Sequence, residues 1–226
     1  MSLLAIAHRG DPLAHRENTL PAFAAAVAGG ADMIELDVRR TADGRVVVVH
    51  DRTLERLWEE PRRVADLMRD EVRALGIPDL AQALAAIPSN VQVMVDYEDE
   101  DVAEPALAEV AAAGSLGRVL FSGECFAGHR RIRRLAPDAR IAVTWDRDMP
   151  CPDDLLDELA AEFYNPSGNV LGRDPNAVEH MHARGTQVSV WTIDEPSDME
   201  LFIEMGVDGI ITNRVSSLVA LLGAPC

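Results

Sequence analysis

Short apolar runs rich in β-branched residues alternate with alanine-rich stretches of helical spacing along almost the whole chain, and this alternation restricts the fold more than any single residue does. The strand-like runs are Leu4 to Ala7, Met33 to Val38, Val91 to Glu98, Arg118 to Phe121, Arg140 to Trp145, Phe163 to Tyr164, Gln187 to Thr192 and Gly209 to Ile211. Between them lie helical patterns such as Ala22 to Ala28, stopped by Gly29-Gly30, and Val102 to Ala113, closed by Gly114. Eight parallel strands, each followed by a helix, is the count of an α/β (β/α)8 TIM barrel, expected to occupy residues 1–226 as one domain. The competing architecture is an open doubly wound sheet. It needs Val46 to Val49 as a ninth strand, and no glycine-rich phosphate fingerprint supports it.

Val46 to Val49 reads instead as the return arm of a hairpin, because the Ala42-Asp43-Gly44-Arg45 turn is too short for a crossover. On the outgoing arm Ile34, Leu36 and Val38 point one way and Glu35 and Asp37 the other, so two carboxylates share one face. If the hairpin closes near Asp43 and Gly44, counting outward sets His50 opposite Asp37. The purely structural reading makes Glu35 and Asp37 salt-bridge partners of Arg39 or Arg40, of which Arg39 has their parity and Arg40 the opposite one.

Charge and composition exclude several classes of function. The chain has 21 basic residues against 38 acidic ones, a net charge of −17 that repels nucleic acid and anionic membrane surfaces. Every basic residue is arginine, which rules out a Schiff-base lysine. Cys125, Cys151 and Cys226 show neither CxxC nor disulfide-like spacing and suit a reducing compartment. The apolar start ends at His8-Arg9-Gly10, too short for a signal h-region, and no run approaches a membrane span, so a cytoplasmic protein without stable membrane association is expected.

In a barrel the carboxyl ends of the strands face a common cavity, which brings His8, Glu35, Asp37, His50, Asp96 and Glu98 together. Carboxylates gathered there without lysines imply a hard divalent cation, Mg²⁺ or Ca²⁺. Two histidines beside it suit general acid and base roles, and the Arg9 fork matches phosphate oxygens. Trp145 and Trp191 are core residues or pocket walls. Arg52 to Arg63 reads as an irregular loop, followed by helical patterns around Val64 to Leu75 and Pro78 to Ala86, and Asp99 to Asp101 as a solvated helix start.

These residues carry a family resemblance. His8-Arg9-Gly10, Glu17-Asn18-Thr19-Leu20-Pro21-Ala22-Phe23, the Gly30 to Val38 segment with Glu35-Leu36-Asp37, Thr41-Ala42-Asp43-Gly44 and Val48-Val49-His50-Asp51 resemble the signature of the glycerophosphodiester phosphodiesterase family. Val190 to Asp194 and Gly206 to Arg214 resemble that family's carboxyl-terminal strands. The resemblance implies a metal-dependent barrel enzyme that hydrolyses glycerophosphodiesters to glycerol phosphate and an alcohol. It places a divalent cation on Glu35, Asp37 and Asp96, uses His8 and His50 as the acid/base pair, and takes a small-molecule phosphodiester as partner.

The chain departs from the family where Asp96-Tyr97-Glu98 stands in place of a Glu-x-Lys pair, which reverses a charge and is shared, at Asp96, with the related sphingomyelinase D-like phospholipases. Inward parity makes Glu98 a substrate-side residue beside Arg9 and Trp191, compensated by the metal, Arg9, Arg52 or Arg147. Turned outward, it pairs with a loop arginine. The family's insertion after the second histidine shrinks to Arg52 to Asp79, which predicts a more open mouth. The alternative function is a catalytically impaired barrel that binds a metal or phosphodiester ligand.

Overall fold

The computed structural model describes residues 3–174 and 176–223; Cys226 lies outside them. Eleven strands follow in chain order: β1 (Leu4–His8), β2 (Met33–Arg40), β3 (Val46–Val48), β4 (Thr53–Leu54), β5 (Glu60–Arg63), β6 (Gln92–Asp96), β7 (Val119–Ser122), β8 (Arg140–Trp145), β9 (Phe163–Pro166), β10 (Gln187–Val190) and β11 (Gly209–Thr212). Eight of them, β1, β2 and β6 to β11, run parallel, and β1 pairs with both β2 and β11, so the sheet closes into the expected (β/α)8 barrel. Closure removes the open-sheet alternative.

Strand parity separates two apolar layers. Ile6, Met33, Met94, Leu120, Ala142, Phe163 and Ile211 fill the barrel interior. Ala5, Ala7, Ile34, Leu36, Val38, Val93, Val95 and Phe121, of opposite parity, pack outward against the helices. Met33, Glu35, Asp37 and Arg39 therefore stand on the inner face of β2, which is why a strand buried along nearly its full length tolerates three charges.

The helix Leu20–Ala28 starts where Thr19 Oγ1 accepts the Ala22 N–H at 3.5 Å, with Pro21 in its first turn, and ends at Gly29 and Gly30. Asp79 caps Leu80–Ala86 in a capping box with Gln82. The helical pattern around Val64 to Leu75 resolves into a 3₁₀ turn, Val64–Asp66, and the helix Arg69–Ala74. The Arg52 to Arg63 segment, expected to be irregular, is a small hairpin of β4 and β5 around the one-turn helix Glu55–Trp58. Leu54, Val64, Leu67, Val72 and Ile77 bury themselves against Val47 and Val49, and this small cluster orders the segment.

The hairpin register differs by one residue from the sequence count. Thr41 N–H donates to Arg45 O at 2.9 Å around a three-residue turn, and Val38 pairs with Val48, which aligns Asp37 with Val49 rather than with His50. The strand β3 ends at Val48, and His50 lies in a bend. Among the described residues no helix is long and apolar enough to cross a membrane.

Candidate active site

At the carboxyl ends of the strands lies a cavity of about 370 Å³, and His8, Arg9, Glu35, Asp37, His50, Asp96, Glu98 and Trp191 all line it. Residues as far apart in the chain as His8 and Trp191 thus meet because the barrel gathers strand ends.

Each histidine has its Nδ1 engaged. His8 Nδ1 lies 2.8 Å from Asn213 Oδ1, and Asn213 Nδ2 donates to Asp194 Oδ2 at 2.8 Å. Asp194 also accepts from Thr212 Oγ1 and the Asn213 N–H. His50 Nδ1 lies 2.6 Å from Asp51 Oδ1. Both partners accept a hydrogen bond from Nδ1–H, which leaves Nε2 of each ring for a ligand. Burial first, and then the adjacent Arg9 charge, push the His8 imidazole below its ordinary value. The Arg56 hydrogen bond, with help from His50, holds Asp51 down to about 2.

The carboxylates come from adjacent strands in register. His8 aligns with Glu35, Asp37 with Asp96 and Asp96 with Ser122. Asn18, fully buried with φ of 57°, donates from Nδ2 to Asp37 Oδ2 at 2.7 Å and accepts the Asp37 N–H at Oδ1. Arg9 Nε lies 3.1 Å from the same Asp37 oxygen, and the Arg9 backbone N–H donates to Glu35 Oε2 at 3.0 Å. Among the described residues no three His, Cys, Asp or Glu side chains are grouped so as to hold a metal ion as they stand. The donor chemistry still fits a hard cation. Burial, and then the Asp37 charge, raise Glu35 well above the carboxylate range and Asp96 to about 7, so these buried acids repel one another and a cation would relieve the strain.

Glu98 occupies the rim. Its side chain is 50% exposed and accepts from Arg39 Nη2 at 2.7 Å, while Arg52 Nη2 approaches at 3.5 Å. Of the two sequence readings of Glu98, pairing with a loop arginine holds for Arg52, and Arg39 joins it from inside the barrel. Arg39, with a side chain only 7% exposed, also donates from Nη1 to Asp99 and from Nε to the His50 carbonyl at 2.8 Å. Asp99 is the N-cap residue of the helix Glu100–Ala112, whose first turn carries the exposed Glu100 and Asp101 as the expected solvated start, and Asp99 in addition pairs with Arg39 and Arg52. The structural reading of Arg39 as the partner of Glu35 and Asp37 gives way to this arrangement.

Trp191 is half-buried, lines the cavity and donates from Nε1 to Asn165 O at 2.9 Å. Trp145 is core, stacked on Phe126 at 5.9 Å with Arg147 over its ring. Burial raises both described thiols, with Cys151 pushed up to about 12.

Sequence reasoning missed Asn18, Glu17, Asp51, Arg56, Asp194 and Asn213 as supports of the site. An asparagine is one of the few side chains that tolerates positive φ, and that was the available signal for Asn18. The bonds of His8 to Asn213 and of Arg56 to Glu17 join residues 205 and 39 positions apart, and local pattern carries no trace of them.

Three comparisons agree with this geometry. The model of the "Glycerophosphoryl diester phosphodiesterase family" matches residues 8–217. A "Glycerophosphodiester phosphodiesterase" of Caldanaerobacter subterraneus subsp. tengcongensis is 31% identical, over 98% of this chain and 98% of its own length. A crystal structure of a glycerophosphodiester phosphodiesterase from Parabacteroides distasonis superposes with a TM-score of 0.85 at 25% identity, covering 96% of this chain and 95% of that one. A phosphodiesterase of Oleispira antarctica, solved in complex with the product sn-glycerol-3-phosphate, has the same fold, with a TM-score of 0.86 at 20% identity over 97% and 96% of the two chains.

Proposed function

This chain belongs to the glycerophosphoryl diester phosphodiesterase family, and from that premise we propose that it hydrolyses glycerophosphodiesters to glycerol phosphate and an alcohol, with His8 and His50 as the acid/base pair. It is a phosphoric diester hydrolase. The observation that carries the residue assignment is the meeting, in one cavity, of two imidazoles each anchored through Nδ1, the Arg9 fork and three carboxylates.

His8 is neutral near pH 7 because burial and Arg9 disfavour its charged form, so its Nε2 suits removal of the proton from the attacking hydroxyl. His50 then supplies the proton to the departing alkoxide. The attacking hydroxyl belongs to water or to the substrate's own glycerol, and trapping a cyclic phosphate distinguishes the two. Arg9 neutralises a phosphoryl oxygen. Glu35, Asp37 and Asp96 would hold the divalent cation, Mg²⁺ or Ca²⁺, which when bound withdraws charge from the phosphoryl oxygens.

His8→Ala and His50→Ala should each lower kcat on glycerophosphocholine by about 10²–10⁴. Parent-like turnover in both would refute the assignment. The second reading, a barrel that binds without turnover, is decided by the same substrate and a chromogenic phosphodiester assayed with Mg²⁺, Ca²⁺ or chelator. Pairing of Glu98 with Arg39 and Arg52 supports the catalytic reading, since the reversed charge is compensated without drawing on Arg9.

A further inference from the structure

Arg9 follows β1 and His50 follows β3, so the phosphate-facing cation and one imidazole reach the cavity from different parts of the chain. A third residue, absent from the cavity lining, touches the supports of both. Arg56, on the one-turn helix after β4, donates from Nε to Asp51 Oδ2 at 2.6 Å and from Nη2 to Asp51 Oδ1 at 3.2 Å. The same guanidinium donates from Nη2 to Glu17 Oε1 at 2.6 Å and from Nη1 to Glu17 Oε2 at 3.2 Å. Glu17 Oε1 in turn accepts from Arg9 Nη1 at 3.0 Å, and Asp51 Oδ1 holds His50 Nδ1 at 2.6 Å.

We propose that Arg56 is a positioning residue that fixes the His50 imidazole and the Arg9 guanidinium relative to one another across the mouth of the cavity. This rests on the roles given to His50 and Arg9 above. The physical case is geometric. Two edges of one planar fork are each matched to a carboxylate, an arrangement that a lysine ammonium cannot reproduce. Glu17 and Asp51 share Nη2, so removing the guanidinium leaves two anions facing each other and drives apart the groups they hold. Arg9, at φ of 59° on a tight turn, is held at Nε by Asp37 at 3.1 Å and at Nη1 by Glu17, while the His50 ring, in a bend beyond the end of its strand, is set by Asp51. The Arg39 bond to the His50 carbonyl fixes the backbone there but leaves the ring to Asp51.

The test is a set of double-mutant cycles on glycerophosphocholine hydrolysis, reading kcat and KM separately, with thermal melting of every variant. Glu17→Gln should act on the Arg9 arm and raise KM, Asp51→Asn should act on the His50 arm and lower kcat, and Arg56→Gln should do both, each by about tenfold. In the Glu17→Gln background Arg56→Gln should raise KM no further, and in the Asp51→Asn background it should lower kcat no further. Arg56→Lys should recover only part of either loss. Parent values of both parameters in Arg56→Gln, or double variants showing the full product of the single effects, overturn the proposal. If Arg56→Gln does not melt cooperatively, Arg56→Lys takes its place in the cycles and is judged by the same non-additivity. Arg9→Ala and His50→Ala run alongside: parent-like turnover in those two locates the failure in the assignment of the site and not in Arg56.

Discussion

Glu98 accepts from the buried Arg39 at 2.7 Å, and Arg39 also grips the His50 carbonyl, so a rim carboxylate is tied through one guanidinium to a residue of the site. This bears on the charge reversal at Glu98. Glu98→Lys sets an ammonium against Arg39 and Arg52, which repels the guanidinium from its place and loosens the His50 bend. The expected outcome is a kcat lowered by about tenfold or more with no gain in KM, measured on glycerophosphocholine. Glu98→Gln, which can still accept from Arg39, should lie nearer the parent. A lower KM with kcat retained in Glu98→Lys would show instead that the new cation reaches the phosphate. The sequence offered Arg52 as a partner of Glu98 but not Arg39, which precedes it by 59 positions and meets it only when the barrel closes.

At the scale of elements, the junction between β1 and the helix Leu20–Ala28 shows how backbone conformation delivers a site. Arg9 and Gly10 have φ of 59° and 85°, which turns the chain sharply at the strand end and returns it over β2. A Cβ on Gly10 would stand 2.7 Å from the Ala22 backbone carbon. Gly10→Ala therefore meets both a disfavoured φ and a contact with main chain that cannot yield, and should destabilise the fold by about 2–4 kcal/mol. For a domain of this size that lowers Tm by about 5–15 °C, a shift read by thermal melting. An unchanged Tm would mean that the helix start moves to accommodate the methyl group. The element boundaries read from periodicity held where a strand met a helix. They failed over Arg52 to Arg63, where a cluster with Val47 and Val49 orders a segment whose own sequence has no period.

For the molecule as a whole, one buried titratable group outside the cavity ties global stability to pH. His129 is fully buried. Its Nε2 lies 3.1 Å from Gly123 O and its Nδ1 meets the Tyr97 hydroxyl, an arrangement that suits a neutral ring donating at Nε2 and accepting at Nδ1. Burial pushes it from 6.5 down to about 4. The unfolded chain takes up this proton as pH falls through about 6.5, while the folded chain resists until about 4, so the contribution is complete above 6.5 and is lost progressively down to 4. The loss amounts to about 3 kcal/mol. Urea unfolding at pH 7 and pH 4 should show His129→Gln less stable than the parent at pH 7 but losing about 3 kcal/mol less on acidification. Equal losses would assign the acid sensitivity to the carboxylates alone.

Two properties of this protein follow from its sequence by itself: the alternation that makes a barrel, and the parity that puts His8, Glu35, Asp37 and Asp96 on inner faces. Both are local, since helical and strand periods are set by neighbours a few residues apart. The tertiary structure alone decided the pairing of Val38 with Val48, the turning of Glu98 to Arg39, and the joining of Arg9 to His50 through Glu17, Arg56 and Asp51. A three-residue turn in place of a two-residue one moves a whole register, and a charged side chain chooses among partners brought near only when the sheet closes. Such choices depend on distances in space that no spacing along the chain encodes.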